Sequence, residues 1–102
     1  MTDAGTSRFQ LDTAVPATLV VAGELSFDTA SAALEAIQSA LGDTRIQRLD
    51  LARVSRADSA GLACVLAVLA GAGRRGQVLE VVHIPSGMQT LAQVCEVDQL
   101  IA

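Results

Sequence analysis

At 102 residues the chain has material for one domain and one modest core. Apolar residues make up 51%, which argues against disorder, but aromatics only 2%, so Leu, Val, Ile and Ala must build the core and base stacking on single strands has little to work with. The net charge of −4, with all seven basic residues Arg and no Lys, argues against general nucleic-acid binding, which needs a positive field.

Residues 1–7, "MTDAGTS", read as a polar, flexible N-terminus, and 8–102 as the folded domain. "RFQLD" alternates apolar and polar residues and predicts a short first strand. Pro16 marks a turn, and Ala17 to Leu25 is a continuous β-branched run that predicts a more buried strand, the two forming an antiparallel pair. Next, Ala30, Ala33, Leu34, Ile37 and Leu41 fall on one helical stripe, with Ser26 or Asp28 as candidate cap and Gly42 as the stop. Ile46 to Val54 predicts a strand with Leu49 and Leu51 on one face. A long helix follows from about Ser59 and stops at "GAGRRG", where Arg74 and Arg75 suit the negative end of the helix dipole. Val78 to Ile84 predicts another strand. Pro85 and Ser86 open a helix carrying Met88, Leu91, Ala92 and Cys95 at helical spacing, and "DQLIA" closes the chain as a turn or short helical piece. The order is β-β-α-β-α-β-α. It predicts a single α/β domain with a small, mixed, mostly parallel sheet and three to four helices.

The long helix stands out because it lacks a polar face. At 100° per residue, Leu62, Val65, Leu66, Leu69 and Gly73 share one side, which is expected to pack on the sheet. The opposite side carries Ala63, Cys64, Ala67 and Gly71, without charge and almost without bulk. Three explanations fit. Either this smooth face docks on a partner, or the final helix covers it, or an Ala-rich composition simply leaves it plain. At the helix start, Asp58 or Ser59 can accept a hydrogen bond from an orphan N–H. Gly61 removes a side chain and lets a partner approach the backbone closely. A phosphate on Ser59 would be tolerated by the helix dipole, yet would place added negative charge beside Asp58.

Three stretches carry a family resemblance: "VVAGELSFDTA", "LDLARVSRADSAGLACVL" and "VLEVVHIPSGMQTLAQVCEVDQLI". Together they resemble the STAS domain, over roughly Leu11 to Ile101. Two branches of the family are implied. In one, anti-sigma-factor antagonists, the residue matching Ser59 is phosphorylated by a partner kinase, and Asp58 and Gly61 match its neighbours. In the other, the MlaB-like branch, the domain is the small cytoplasmic subunit of an Mla-type ABC transporter that maintains outer-membrane lipid asymmetry. There it binds the MlaF-like ATPase and supports assembly and activity. "DLARVSRADSAGLA" and the tail "MQTLAQVCEVDQLI" are similar to that branch. Ala60 matches neither branch cleanly, since transporter subunits can carry Gly and antagonists often Ser at its place. The transporter branch is preferred. It implies that Ser59, Asp58, Ala60 and Gly61 with Ala63, Cys64 and Ala67 meet the ATPase, and that Arg53 or Arg56 stands at the rim.

No catalysis is expected. His83 is the single His and sits in a predicted strand, Ser59 has no local base, and "AGLA" is not a nucleophile elbow. The glycines of "GAGRRG" close a helix and so cannot cradle a phosphate. Cys64 and Cys95 lack metal-ligand spacing and read as small core or interface residues in a reducing compartment, so no metal, disulfide or cofactor is expected. "MTDAGTSRFQ" does not read as a signal peptide, and the apolar run before Arg74 is too short to span a bilayer. The expected location is cytoplasmic, at the inner membrane through the partner and without direct insertion.

Overall fold

The computed structural model describes residues 8–101. The expected flexible segment 1–7 and the terminal Ala102 lie outside the described residues. The elements run β1 (Phe9–Asp12), β2 (Thr18–Leu25), α1 (Ala30–Ala40), β3 (Arg48–Ala57), α2 (Ser59–Arg74), β4 (Glu80–Val82), α3 (Ser86–Val94) and α4 (Asp98–Ile101). The four strands form one sheet in the order β1-β2-β3-β4. β1 is antiparallel to β2, and β2, β3 and β4 are mutually parallel along the sheet. The element order and the mixed, mostly parallel sheet match the sequence expectation.

Strand alternation decides which face is covered. Leu19, Val21 and Leu25 of β2 and Leu49 and Leu51 of β3 join one buried cluster with Ala33 and Ile37 of α1, Val65 and Val68 of α2, Met88 and Ala92 of α3, and Ile101 of α4. All four helices therefore share one face of the sheet, giving two layers. The other face carries the intervening residues, and ion pairs cross it: Arg53 to Asp12 at 4.0 Å and Arg48 to Glu80 at 3.6 Å. His83 Nδ1 lies 3.0 Å from Asp50 Oδ1.

Several boundaries moved for physical reasons. β3 continues past Val54 to Ala57 because β2 keeps pairing with it as far as Leu25↔Ala57. β4 shrinks to three residues. His83 takes φ 57°, a left-handed conformation that ends the strand and turns the chain toward Pro85 and α3. The start of α1 is capped by neither predicted side chain. The Ser26 carbonyl accepts from the N–H groups of Thr29 and Ala30, the Ser26 hydroxyl turns to Glu24, and Asp28 accepts from Arg8. At the end of α2 the predicted stop is a full Schellman motif. Gly76 has φ 69°, its N–H meets the Gly73 carbonyl at 3.1 Å, and the Gln77 N–H meets the Ala72 carbonyl at 2.9 Å.

Candidate functional site

Each parallel strand runs directly into a helix: β2 into α1, β3 into α2, β4 into α3. The three helix N-termini therefore gather at the carboxyl ends of the strands, where open α/β sheets place their functional loops. The α2 start is the most organised of them. Asp58 is its N-cap, in extended conformation, and its Oδ1 accepts from the N–H groups of Ala60 at 2.9 Å and Gly61 at 3.1 Å. Its Oδ2 accepts from the Phe27 N–H at 3.0 Å, and its own N–H meets the Leu25 carbonyl at 3.3 Å. One carboxylate thus ties the β2–α1 loop to the first turn of α2. These contacts hold its pKa below 3.8; the Phe27 N–H is the largest cause, and the N–H groups of Gly61 and Ala60 and the charge of Arg56 add to it.

Because Asp58 does the capping, Ser59 is left at the first helical position with its side chain exposed. Gly61 has a different role from the one expected. A Cβ there would lie 2.2 Å from the Leu25 carbonyl oxygen and 2.9 Å from the Leu25 carbonyl carbon. The neighbour that approaches its backbone is β2 of the same chain.

The phase of α2 also differs from the expectation. Its buried residues are Gly61, Leu62, Cys64, Val65, Val68, Gly71 and Ala72. Cys64 and Gly71, expected on the free side, are in the interior, and Gly73, expected against the sheet, is exposed. Cys64 retains 4% of its surface, and burial raises its thiol pKa, so it is a core residue with no surface to offer. The reason lies in the helix layer. α2 is the central helix, packed against α1 on one flank and α3 and α4 on the other, with the sheet beneath. Small residues at 61, 64, 71 and 72 let it settle close to these neighbours.

One strip stays uncovered. Ser59, Ala63, Ala70 and Gly73 are exposed along it, with Leu66 and Ala67 half-buried beside them. It carries no charge until Arg74. Phe27, in the loop tied to Asp58, stands next to the α2 start with 84% of its surface exposed. The sequence reading missed it; the available signal was an aromatic flanked by Ser26 and Asp28 in a loop with no apolar period. The structure therefore brings Asp58, Ser59, Ala60, Ala63 and Ala67 to one end and face of α2. It separates Arg53, which points across the open sheet face to Asp12, on the side away from the helices. Arg56 is exposed at the end of β3, close enough to Asp58 to act on its charge. Among the described residues no cluster of His, Cys, Asp and Glu could hold a metal, and no helix is long and apolar enough to cross a membrane.

A family model described as "Mlab, STAS domain" matches residues 9–102, the whole sheet and helix layer. This chain belongs to the STAS family. Among solved structures, the STAS fold seen here is similar to the anti-sigma factor antagonist SpoIIAA in its unphosphorylated form, at 21% identity and TM-score 0.61, covering 83% of this chain and 81% of that one. It is also similar to the Bacillus cell fate determinant SpoIIAA in the phosphorylated form, at 19% identity and TM-score 0.64, covering 92% and 88%. At these identities the likeness is one of fold. Among curated proteins, no match to this STAS domain was found.

Proposed function

We propose that this STAS domain is a non-catalytic docking subunit. Its partner is the MlaF-like ATPase of an Mla-type ABC transporter that moves phospholipids and maintains outer-membrane lipid asymmetry. The observation that carries this is the uncharged strip of α2, Ser59 to Gly73, beside an exposed Phe27. Exposed helix positions ordinarily hold charged residues, and interface centres are poor in charge and rich in aromatic residues, which supports a contact centred on Phe27 and this uncharged strip. The Mla branch is favoured by the description of the family model. In this reading the domain sits at the inner face of the inner membrane through its partner. Affinity capture from detergent-solubilised membranes with the purified domain as bait is expected to recover an ABC ATPase with its permease, and Ala63→Glu to abolish that recovery. Recovery of a histidine-kinase-like anti-sigma factor instead would reject the transporter assignment.

A second reading keeps the surface and changes the partner. Ser59 is exposed at the first position of a helix already capped by Asp58, so a kinase can reach its hydroxyl and the helix dipole tolerates the phosphate. The added charge beside Asp58 would then repel a partner from the strip, the behaviour of a phospho-switched anti-sigma-factor antagonist. Intact mass spectrometry after incubation with a cognate kinase and ATP tests it, and Ser59→Asp should abolish binding of the anti-sigma factor.

A further inference from the structure

β3 outruns the strand beside it. It extends over Arg48–Ala57, whereas β4 pairs only with Arg48, Leu49 and Asp50. The chain leaves the sheet at His83 and turns into α3, so from Leu51 to Ala57 the outer edge of β3 has no strand beside it among the described residues. Along that edge lies a groove of about 340 Å³, walled by residues 54–57 on the strand and 85–88 at the start of α3. The Ala52 N–H is met by Asp50 Oδ1 at 2.8 Å and the register with β2 shifts twice between Asp50 and Arg56, while the other backbone groups of an unpaired strand edge are of the kind that a second extended chain satisfies.

Charge decides which chain. Leu51–Ala57 contains Arg53 and Arg56 and no acidic residue, in a protein of net charge −4. Arg53 is held by Asp12 on the open sheet face, whereas Arg56 lines the groove. The nearby Asp58 carboxylate is engaged by three backbone N–H groups. Self-pairing of two copies is disfavoured in one register. An antiparallel pair centred between Val54 and Ser55 would set Arg53 of each copy opposite Arg56 of the other, and like charges directly opposite destabilise a ladder.

We propose that the outer edge of β3, Leu51–Ala57, takes up an extended acidic peptide segment of a partner protein as an added strand. An acidic side chain of that segment faces Arg56, and an apolar one enters the groove beside Val54. This site adjoins the start of α2, where Arg56 lies near Asp58, but lies on the strand edge and does not rest on the identity of the partner at the α2 strip.

The test uses the full, isotope-labelled chain and a blocked heptapeptide alternating valine and glutamate, followed by amide chemical shifts and amide exchange. Shift changes and slowed exchange are expected at residues 51–57 and 84–88. Replacing glutamate by lysine in the peptide should weaken binding about fivefold or more, as should Arg56→Glu, and combining the two changes should restore it. Amide spectra of Arg56→Glu verify that the variant is folded. No shift at millimolar peptide, shifts centred on α2, or equal binding of the lysine peptide would overturn the proposal. Concentration-dependent dimerisation through the same residues would overturn it in favour of a second copy.

Discussion

At the scale of single residues, Asp58 and Gly61 organise the candidate site, and both act through their own chain. Asp58 gathers three N–H groups with one carboxylate, and its folded-state pKa is lowered from 3.8, first by the Phe27 N–H. A lowered carboxylate pKa means that the folded state favours the ionised form. Its stabilising contribution is complete above the unfolded value and is lost as pH falls through the folded one. Wild type should therefore melt above Asp58→Asn at neutral pH, and the gap between the two should close as pH falls below 3.8. Thermal melts by circular dichroism from neutral pH into acid read this directly; a gap that stays constant into acid would contradict it. Gly61 gives a sharper expectation. Its missing Cβ is filled by the Leu25 carbonyl, backbone that cannot swing aside. Gly61→Ala should cost about 3 kcal/mol or more through overpacking, seen as a lower urea midpoint with an unchanged slope. Ser59 has neither duty, and its side chain stays exposed.

At the scale of elements, α2 explains how an almost wholly apolar helix can belong to a small domain. The sheet, α1 and the α3–α4 pair cover three sides, and only the strip from Ser59 to Gly73 remains. The two sides of the helix should respond differently to substitution. Val68 is fully buried, so Val68→Ala should destabilise by about 2 kcal/mol through lost contacts and a cavity. Ala63 is exposed, so Ala63→Glu should change stability by no more than about 0.5 kcal/mol while abolishing partner capture. Chemical denaturation of both variants beside the capture experiment separates the cases. Unfolding of Ala63→Glu would mean that the strip is packed after all. Helical periodicity located this helix and its lack of a polar face, but not its phase. Gly61, Cys64, Gly71 and Ala72 carry little hydrophobic signal, yet close packing against three neighbours selects small residues and places them inward.

At the scale of the whole molecule, one buried cluster joins both central strands to all four helices, while β1 and β4 contribute partly covered residues at the two edges of the sheet. Protection from amide exchange should follow that arrangement. The slowest amides are expected in Leu19–Val21 and Leu49–Asp50, which have strands on both sides, and the fastest in β4 and α4, which are short and peripheral. Exchange measured by NMR near neutral pH checks this; uniform protection across the sheet would contradict it. Element order, the pairing sense of the strands, the single core and the capped start of α2 are legible along the chain, because period, turn residues and chain order are local properties. Which side of α2 is free, that Gly61 serves β2, that Arg53 stands on the far face, and that Phe27 lies beside the α2 start emerge only in the folded molecule. Those facts depend on which surfaces meet after the chain closes on itself, and residues distant in sequence, such as Leu25 and Gly61 or Phe27 and Asp58, are brought together only by packing.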